Sequence, residues 1–317
     1  MADGDPFSCF DDNEEGTTVD DVLDAAVLER SDECGVLTFH HGTERALLVH
    51  IENEKLRNKN QLGPSLILEL IDSFCIERHW MMHVGPEKAK VLEAFLFDCL
   101  RSKSEMAKDQ FILLELGTYC GYSSILWAKL LMEQGVNAFM VYTVEASREN
   151  AAVASRLISL AGLQEHISVL LLDLNHDQTV VDLIKGTIGE RRWIDLLFLD
   201  HDKDAYLKDL TLLEHSGLVR AGTHVAADNV VFARIDSYRK YVNTLAEKGV
   251  VATKLVEGSI EYSGPDESKA IDKEIFRDGI GMFMTWTLVV LSVPRDLVLV
   301  SRILLFFAEL TVYLKDP

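Results

Sequence analysis

The 317-residue chain lacks several features that define common protein classes. Its cysteines are odd in number and scattered without CxxC or Cys/His spacing, which indicates neither a disulfide framework nor a zinc site. These cysteines are Cys9, Cys34, Cys75, Cys99 and Cys120. Basic residues are scarce, 31 against 51 acidic ones, and the net charge of -20 argues against nucleic acid and anionic lipid as partners. Small molecules or proteins are therefore the expected partners.

The N-terminal region has neither the basic segment nor the apolar segment of a secretory signal, so we expect the chain in the cytoplasm. Residues 1–35 hold twelve acidic residues and one basic residue, Arg30. An acidic stretch with few aromatic residues is typical of a solvated tail without fixed structure. We assign residues 1–43 to this acidic tail.

The C-terminal region has no apolar run long enough for a clear membrane span. The longest uncharged run, residues 280–293, would be about 21 Å long as a helix, whereas the bilayer hydrocarbon is about 30 Å thick. Residues 294–296, Pro-Arg-Asp, interrupt it. For the hydrophobic extension 280–317 we consider a membrane-associated tail, a dimer-forming or core-covering extension, and translated sequence that does not belong to the folded protein. A spanning helix is the least supported.

Between these ends, residues 44–279 alternate between helical and strand-like patterns. Three amphipathic helical segments come first, at 44–56, 64–80 and 86–100. Five short apolar runs, separated by helical segments, follow at 111–116, 139–145, 167–172, 194–200 and 223–228. Because parallel strands need crossover connections, this order predicts an α/β domain with helices on both faces of a mostly parallel sheet. Ligands of such sheets bind at the carboxyl ends of the strands.

Acidic residues mark the carboxyl ends of all five predicted strands: Glu115, Glu145, Asp173, Asp200 and Asp228. The first strand runs into "LGTYCGYSS", where Gly117 and Gly121 would allow a ligand to approach the backbone closely. Their spacing is neither the GxGxxG of dinucleotide binders nor a phosphate loop. A carboxylate that ends the second strand, as Glu145 does, is where a ribose is held through its hydroxyls. We favour ribose binding over an ordinary surface acid.

The stretch "LDHDKDAY" has three interpretations: a solvated turn, a calcium loop, or part of an active site. Asp200, Asp202 and Asp204 fit alternate ligand positions of an EF-hand. However, the sixth and twelfth positions are Ala205 and Thr211 instead of glycine and glutamate, and a strand precedes the loop. The calcium interpretation therefore fails.

The next strand ends in Asp228 and Asn229, which favours an active site over a solvated turn. If the two strands are neighbours, their ends lie about 5 Å apart, so Asp200, Asp228 and Asn229 can converge on one point. Two carboxylates and an amide oxygen form the hard-oxygen set that magnesium prefers. The sequence therefore predicts a magnesium site.

At these motifs the chain resembles the catechol O-methyltransferases, magnesium-dependent enzymes that use S-adenosylmethionine. The matching stretches include "WMMHVG", "LLELGTYCGYSS", "VYTVEAS", "LFLDHDKDAYLKDLTLLEHSGLVRAGTHVAADNVV" and "SIEYS". Their order and spacing are preserved from about residue 44 to about residue 279. The resemblance implies a Rossmann-like class I methyltransferase fold with seven strands, the last one antiparallel and near "KAIDKEIF" (269–276).

The resemblance also implies roles for particular residues. Lys203 would be the general base, and Glu261 would hydrogen-bond the second hydroxyl of the acceptor. The magnesium ligands would be Asp200, Asp228 and Asn229. The acceptor would contact Trp80, Lys203, Asn229 and Glu261. The cofactor, S-adenosylmethionine, would contact Met82, Val84, Glu115, Gly117, Tyr119, Ser123, Glu145, Asp200 and His201.

Two positions depart from the family pattern. Asp202 stands where the family usually has tryptophan, and Ala233 where it usually has proline. In the family, the residues at both positions are hydrophobic gates that grip an aromatic ring. Their loss leaves the metal and cofactor sites intact but loosens the ring slot, so the resemblance indicates the reaction type more strongly than the acceptor, which we expect to be a catechol or a similar vicinal diol. The Ser-Gln pair that the family has near the adenine is also replaced, in the region 173–175.

The leading hypothesis is an S-adenosylmethionine-dependent and Mg²⁺-dependent O-methyltransferase. The alternative is a catalytically silent homologue that binds cofactor or a partner protein, which the lost gates suggest. A nicotinamide dehydrogenase is disfavoured because GxGxxG is missing.

Overall fold

The computed structural model describes residues 42–58, 62–102, 110–176, 178–189, 192–230, 233–257 and 285–288. Residues 1–41 of the predicted acidic tail, Glu261 and most of the C-terminal extension lie outside these residues.

Eight helices lie within the described part of the chain, and each overlaps a segment with a helical or capping pattern. They are α1 Thr43–Asn58, α2 Pro64–Glu77, α3 Gly85–Ser102, α4 Tyr122–Glu133, α5 Arg148–Leu160, α6 Val180–Ile188, α7 Tyr206–His215 and α8 Asp236–Glu247. Pro64 opens α2, where its fixed φ suits the first turn. Thr179 begins α6 with a capping box in which its side chain and that of Asp182 bond each other's backbone amides.

Seven strands form one sheet in the order β3-β2-β1-β4-β5-β7-β6. They are β1 Phe111–Leu116, β2 Phe139–Glu145, β3 Ile167–Leu171, β4 Leu196–Leu199, β5 His224–Ala227, β6 Lys254–Glu257 and β7 Thr285–Leu288. Strands β1 to β5 pair in parallel, and β7 pairs antiparallel with both β5 and β6. The predicted doubly wound, seven-stranded fold is confirmed.

One detail of the fold prediction is wrong. The antiparallel strand was expected near 269–276, which lies outside the described residues, whereas the strand that pairs antiparallel with β5 is β7 at Thr285–Leu288. The sheet therefore continues past residue 279, into the segment that the sequence assigned to a hydrophobic extension. Local apolar pattern did not distinguish a short sheet strand from the rest of that apolar segment.

Two hydrophobic clusters cover the two faces of the sheet. Leu113 and Phe198 pack with residues of α1 to α5, whereas Leu114 and Leu197 pack with residues of α6 to α8. Successive side chains of a strand point to opposite faces, so a strand covered on both sides reads as a continuous apolar run. The chain order reverses between β1 and β4, which opens a crevice at their carboxyl ends.

Candidate active site

A cavity of about 1030 Å³ lies at the carboxyl ends of the parallel strands. Most of the predicted site residues line it: Trp80, Met82, Val84, Gly117, Tyr119, Ser123, Glu145, Asp200, His201, Lys203, Asp228 and Asn229. Of the remaining two, Glu261 lies outside the described residues and Glu115 lies behind the cavity wall. The structure thus brings together side chains from five segments of the chain.

The glycine turn after β1 packs tightly against the loop after β4. Gly117 has φ +97°, and a Cβ atom there would lie 2.2 Å from the carbonyl oxygen of Asp200. Gly121 has φ +83° and precedes the first turn of α4. The sequence predicted close approach of a ligand at these glycines, and the structure adds a close approach of the next loop. Gly117 is therefore the point where the glycine turn after β1 touches the loop after β4.

Glu145 is held at the end of β2 by three backbone amides. Its Oε2 accepts the amide of Tyr119 at 2.8 Å, and its Oε1 accepts the amides of Ala146 at 3.0 Å and Ser147 at 2.9 Å. These bonds fix the carboxylate on the cavity wall. Tyr119 has a left-handed backbone, with φ 49°, and its hydroxyl donates to Glu44 in α1 at 2.9 Å. The turn is thus tied both to β2 and to the first helix.

Glu115 does not line the cavity, and the predicted direct contact with a cofactor is corrected to a position behind the wall. Its side chain is fully buried and accepts hydroxyl hydrogen bonds from Ser124 and from Thr143, the latter at 2.6 Å. Burial raises the pKa of the Glu115 carboxyl to about 7, although the hydroxyl donors act in the opposite direction. Its role is to support the turn from within the core.

Asp200 and Asp228 directly follow neighbouring strands, as the sequence predicted. Leu199 of β4 and Ala227 of β5 are register partners, and the two acids come next. Asp228 is 2% exposed; its Oδ2 accepts Lys88 Nζ at 3.0 Å and Asn229 Nδ2 at 3.2 Å. Its Oδ1 is buried without a hydrogen-bond partner in the described structure.

Lys203 lies in the short helical turn after β4. Its Nζ donates to Asp200 Oδ1 and to the Tyr206 hydroxyl oxygen, both at 2.8 Å. The buried Tyr206 hydroxyl lies 2.8 Å from the Leu199 carbonyl oxygen and 3.1 Å from that of Asp228. Tyr206 therefore ties the ends of β4 and β5 together and fixes the position of the lysine.

Lys88 is a component of the site that sequence reasoning missed. It is 4% exposed, projects from α3, and pairs with Asp228. Burial lowers the pKa of Lys88 and raises that of Asp228, while their attraction opposes both shifts. A signal was present, because Lys88 shares the helix face of Leu92 and Phe95, both buried. A lysine on a buried face needs an acidic partner.

The residues at the ends of β4 and β5 fit a hard divalent cation. Asp228 presents a buried oxygen without a partner, and Asp200 commits one oxygen to Lys203 and keeps the other. The Asn229 amide nitrogen bonds Asp228, which leaves its oxygen available. Among the described residues no group of three or more His, Cys, Asp or Glu side chains could hold a metal. The set here contains two carboxylates and an amide, which suits magnesium.

The segment 78–84, between α2 and α3, forms one wall of the cavity, here called the α2–α3 wall. It carries Trp80 and the 52% exposed Met82, and it has no regular secondary structure. The buried ring of His83 lies 5.2 Å from the ring of Tyr119 and 5.5 Å from that of Tyr122, measured between centroids. His83 was not predicted; its ring stacks on Tyr122 and makes a tilted contact with Tyr119, and these contacts attach the wall to the glycine turn.

His201 and the two gate positions complete the cavity. His201 stacks on Tyr206, and its Nε2 lies 2.9 Å from Asp209 Oδ2. Asp202 and Ala233 both line the cavity, as their expected gate positions require. The cavity therefore presents a carboxylate and a methyl group at the positions where the resemblance predicts two apolar gates.

Comparison with known proteins identifies the family. The O-methyltransferase family model matches residues 63–242. Catechol O-methyltransferase of Mus musculus is 33% identical over 234 residues, covering 71% of this chain and 80% of that protein. The Bos taurus protein of the same name is 33% identical over 199 residues, covering 63% of this chain and 65%, just under two thirds, of that protein. The chain belongs to the O-methyltransferase family, and the predicted resemblance to catechol O-methyltransferases is confirmed.

Two further comparisons bear on the fold and on the family's diversity. The human protein named transmembrane O-methyltransferase is 35% identical over 181 residues, covering 57% of each chain. The crystal structure of the O-methyltransferase TomG from Streptomyces achromogenes shares the fold, with a TM-score of 0.51 and 18% identity over 76% of this chain and 96% of that one. None of the helices in the described ranges is long and apolar enough to cross a membrane.

Proposed function

We propose that this protein transfers the methyl group of S-adenosylmethionine to one hydroxyl of a catechol or a similar vicinal diol, and that it requires Mg²⁺. The observation that carries the proposal is the convergence of Asp200, Asp228, Asn229 and Lys203 on the cavity that also contains the glycine turn and Glu145. Relatives named catechol O-methyltransferase support this substrate class.

The half of the cavity beside β1 and β2 would hold the cofactor. Glu145 would accept the ribose hydroxyls, since three backbone amides already fix its carboxylate. The methionine end would lie against the glycine turn and the α2–α3 wall. The residues in this role are Met82, Val84, Gly117, Tyr119 and Ser123. His201, which Asp209 and Tyr206 hold in place, would lie beside the adenosine.

The half beside β4 and β5 would hold the acceptor. A magnesium ion held by Asp200, Asp228 and Asn229 would act as a Lewis acid that stabilises the acceptor oxyanion. Lys203, positioned by Asp200 and Tyr206, would take the hydroxyl proton on its Nζ. The cofactor would supply the methyl group: the acceptor oxygen would bond to the methyl carbon while the sulfur–carbon bond breaks and the sulfur keeps the electron pair. Trp80 would line the slot that holds the acceptor ring, and Glu261 remains the predicted partner of the second hydroxyl.

Transfer of a radiolabelled methyl group from S-adenosylmethionine to catechol tests the proposal. We expect product with Mg²⁺, loss of product with a chelator, and recovery when Mg²⁺ is restored. Lys203→Met should lower kcat by about 100-fold or more, as expected for loss of a general base. Binding of S-adenosylhomocysteine, measured by calorimetry, should be unchanged in this variant. Product formation that is insensitive to chelator would contradict the metal requirement.

The alternative of a silent homologue has one supporting observation, the replacement of two apolar gates by Asp202 and Ala233. Such a protein would bind S-adenosylhomocysteine and give no product with any vicinal diol. The same pair of measurements therefore separates the two functions.

A further inference from the structure

Asp202 places a carboxylate at the mouth of the acceptor half of the cavity. It follows Asp200 by two residues, lines the cavity, and is exposed. Its Oδ1 accepts the backbone amide of Asp204 at 3.1 Å, which caps the short helical turn that carries Lys203. Its Oδ2 takes no hydrogen bond from the described residues. The Asp202 side chain is thus anchored through Oδ1, and its Oδ2 is available to a molecule in the cavity.

The nearby cations do not neutralise this carboxylate. Lys203 donates to Asp200 and Tyr206, and Lys88 pairs with Asp228. Lys208 also lines the cavity, but within the described part of the chain no basic side chain lies within 4.0 Å of the Asp202 carboxylate. No ion pair with a described residue therefore offsets the charge of Asp202, and a cationic group that enters the cavity could pair with it.

Ala233 provides space for a substituent at the same cavity. It follows β5, lines the cavity, and carries only a methyl group. A bulky apolar residue at this position and at 202 would grip the face of a ring, whereas alanine and aspartate leave room and supply charge. Recognition then depends on the substituent of the ring as well as on its two hydroxyls.

We propose that Asp202 makes the acceptor site selective by charge, so that a vicinal diol with an alkylammonium substituent is favoured and one with a carboxylate substituent is disfavoured. This inference rests on the proposed function. Because the pair would be partly exposed, its contribution is modest, and it corresponds to about a threefold to tenfold change in the ratio of kcat/KM values.

The test compares three acceptors: 2-(3,4-dihydroxyphenyl)ethylamine, 4-methylcatechol and 3,4-dihydroxyphenylacetate. In Asp202→Asn the asparagine oxygen can still cap the turn, so the fold is retained while the charge is lost. We expect the ammonium-to-carboxylate ratio of kcat/KM to fall about threefold to tenfold, through KM, with 4-methylcatechol changed less than about twofold. The effect should weaken in high salt because the site is exposed.

Asp204→Asn is the matched control, because Asp204 is an exposed neighbour of the same charge and does not line the cavity. The ammonium-to-carboxylate ratio of kcat/KM in Asp204→Asn should equal that of the wild type. The inference is overturned if Asp202→Asn leaves the ratio unchanged, or if Asp204→Asn changes it equally. Absence of product with all three acceptors would instead reject the proposed function, so the two failures are distinguishable.

Discussion

The two halves of the cavity are built by different means. On the cofactor side, backbone geometry sets the site: three amides hold Glu145, and Gly117 leaves no room for a side chain. On the acceptor side, paired charges set it: Lys88 with Asp228, and Lys203 with Asp200. A backbone-built site is constrained by the fold itself. A side-chain-built site can change at single positions while the fold persists, as Asp202 and Ala233 illustrate.

The largest expected effect comes from Asp228→Asn, which should impair the acceptor half of the cavity and leave the cofactor half nearly unchanged. The change removes one carboxylate of the proposed metal site and replaces the ion pair between Lys88 and Asp228 with a contact to a neutral amide. Methyl transfer to catechol should fall by at least about 100-fold, whereas S-adenosylhomocysteine affinity should change less than about threefold. A parallel loss of S-adenosylhomocysteine affinity, measured by calorimetry, would show that the halves are not independent.

Gly117→Ala should instead damage both halves, because Gly117 is where they touch. Its new methyl group would clash with the Asp200 backbone, and its φ of +97° disfavours a side chain. We expect a loss of roughly 3 kcal/mol in the free energy of unfolding, together with weaker cofactor binding. Gly135→Ala is the control, since Gly135 has φ +73° but nothing within 4 Å of the new atom. Equal denaturant midpoints for the two variants would contradict the steric argument.

Glu115, buried behind the cofactor half of the cavity, should make the free energy of unfolding depend on pH. The folded protein keeps the Glu115 proton until its pKa of about 7, whereas the unfolded chain releases it near 4.5. The stability from neutral Glu115 is therefore complete below pH 4.5 and is lost as the pH rises to about 7, a change of roughly 3 kcal/mol. In Glu115→Gln this contribution should disappear. Thermal unfolding of both proteins between pH 5 and 8 checks this, and a difference that does not vary with pH would refute it.

The smallest expected effect concerns His83, whose ring contacts with Tyr119 and Tyr122 attach the α2–α3 wall to the glycine turn. His83→Ala should lower kcat/KM for catechol by about fivefold, since an aromatic pair contributes about 1 kcal/mol. His83→Phe keeps the stack and should restore most of the loss. If phenylalanine and alanine give the same kcat/KM, stacking is not what positions the wall.

Much of this site could be predicted from sequence because its main residues follow strands. Asp200, Asp228 and Asn229 come directly after two apolar runs, and parallel strands deliver such residues to one edge. Lys88, His83 and Tyr206 were not predicted, because their partners are distant in sequence and only the tertiary packing brings them together. Glu115 was expected at the cofactor from the family resemblance, yet its side chain is buried beside Ser124 and Thr143. The position of β7 depends on long-range pairing, which local periodicity does not encode.

Binding of Mn²⁺, followed by electron paramagnetic resonance of the free ion in the presence of S-adenosylhomocysteine, tests the central claim most directly. The claim predicts one saturable site in the wild type and in Asp204→Asn, and at least about tenfold weaker binding in Asp228→Asn. Equal Mn²⁺ affinity in the wild type and Asp228→Asn would show that the ends of β4 and β5 do not hold the cation, and the proposed chemistry would lose its basis.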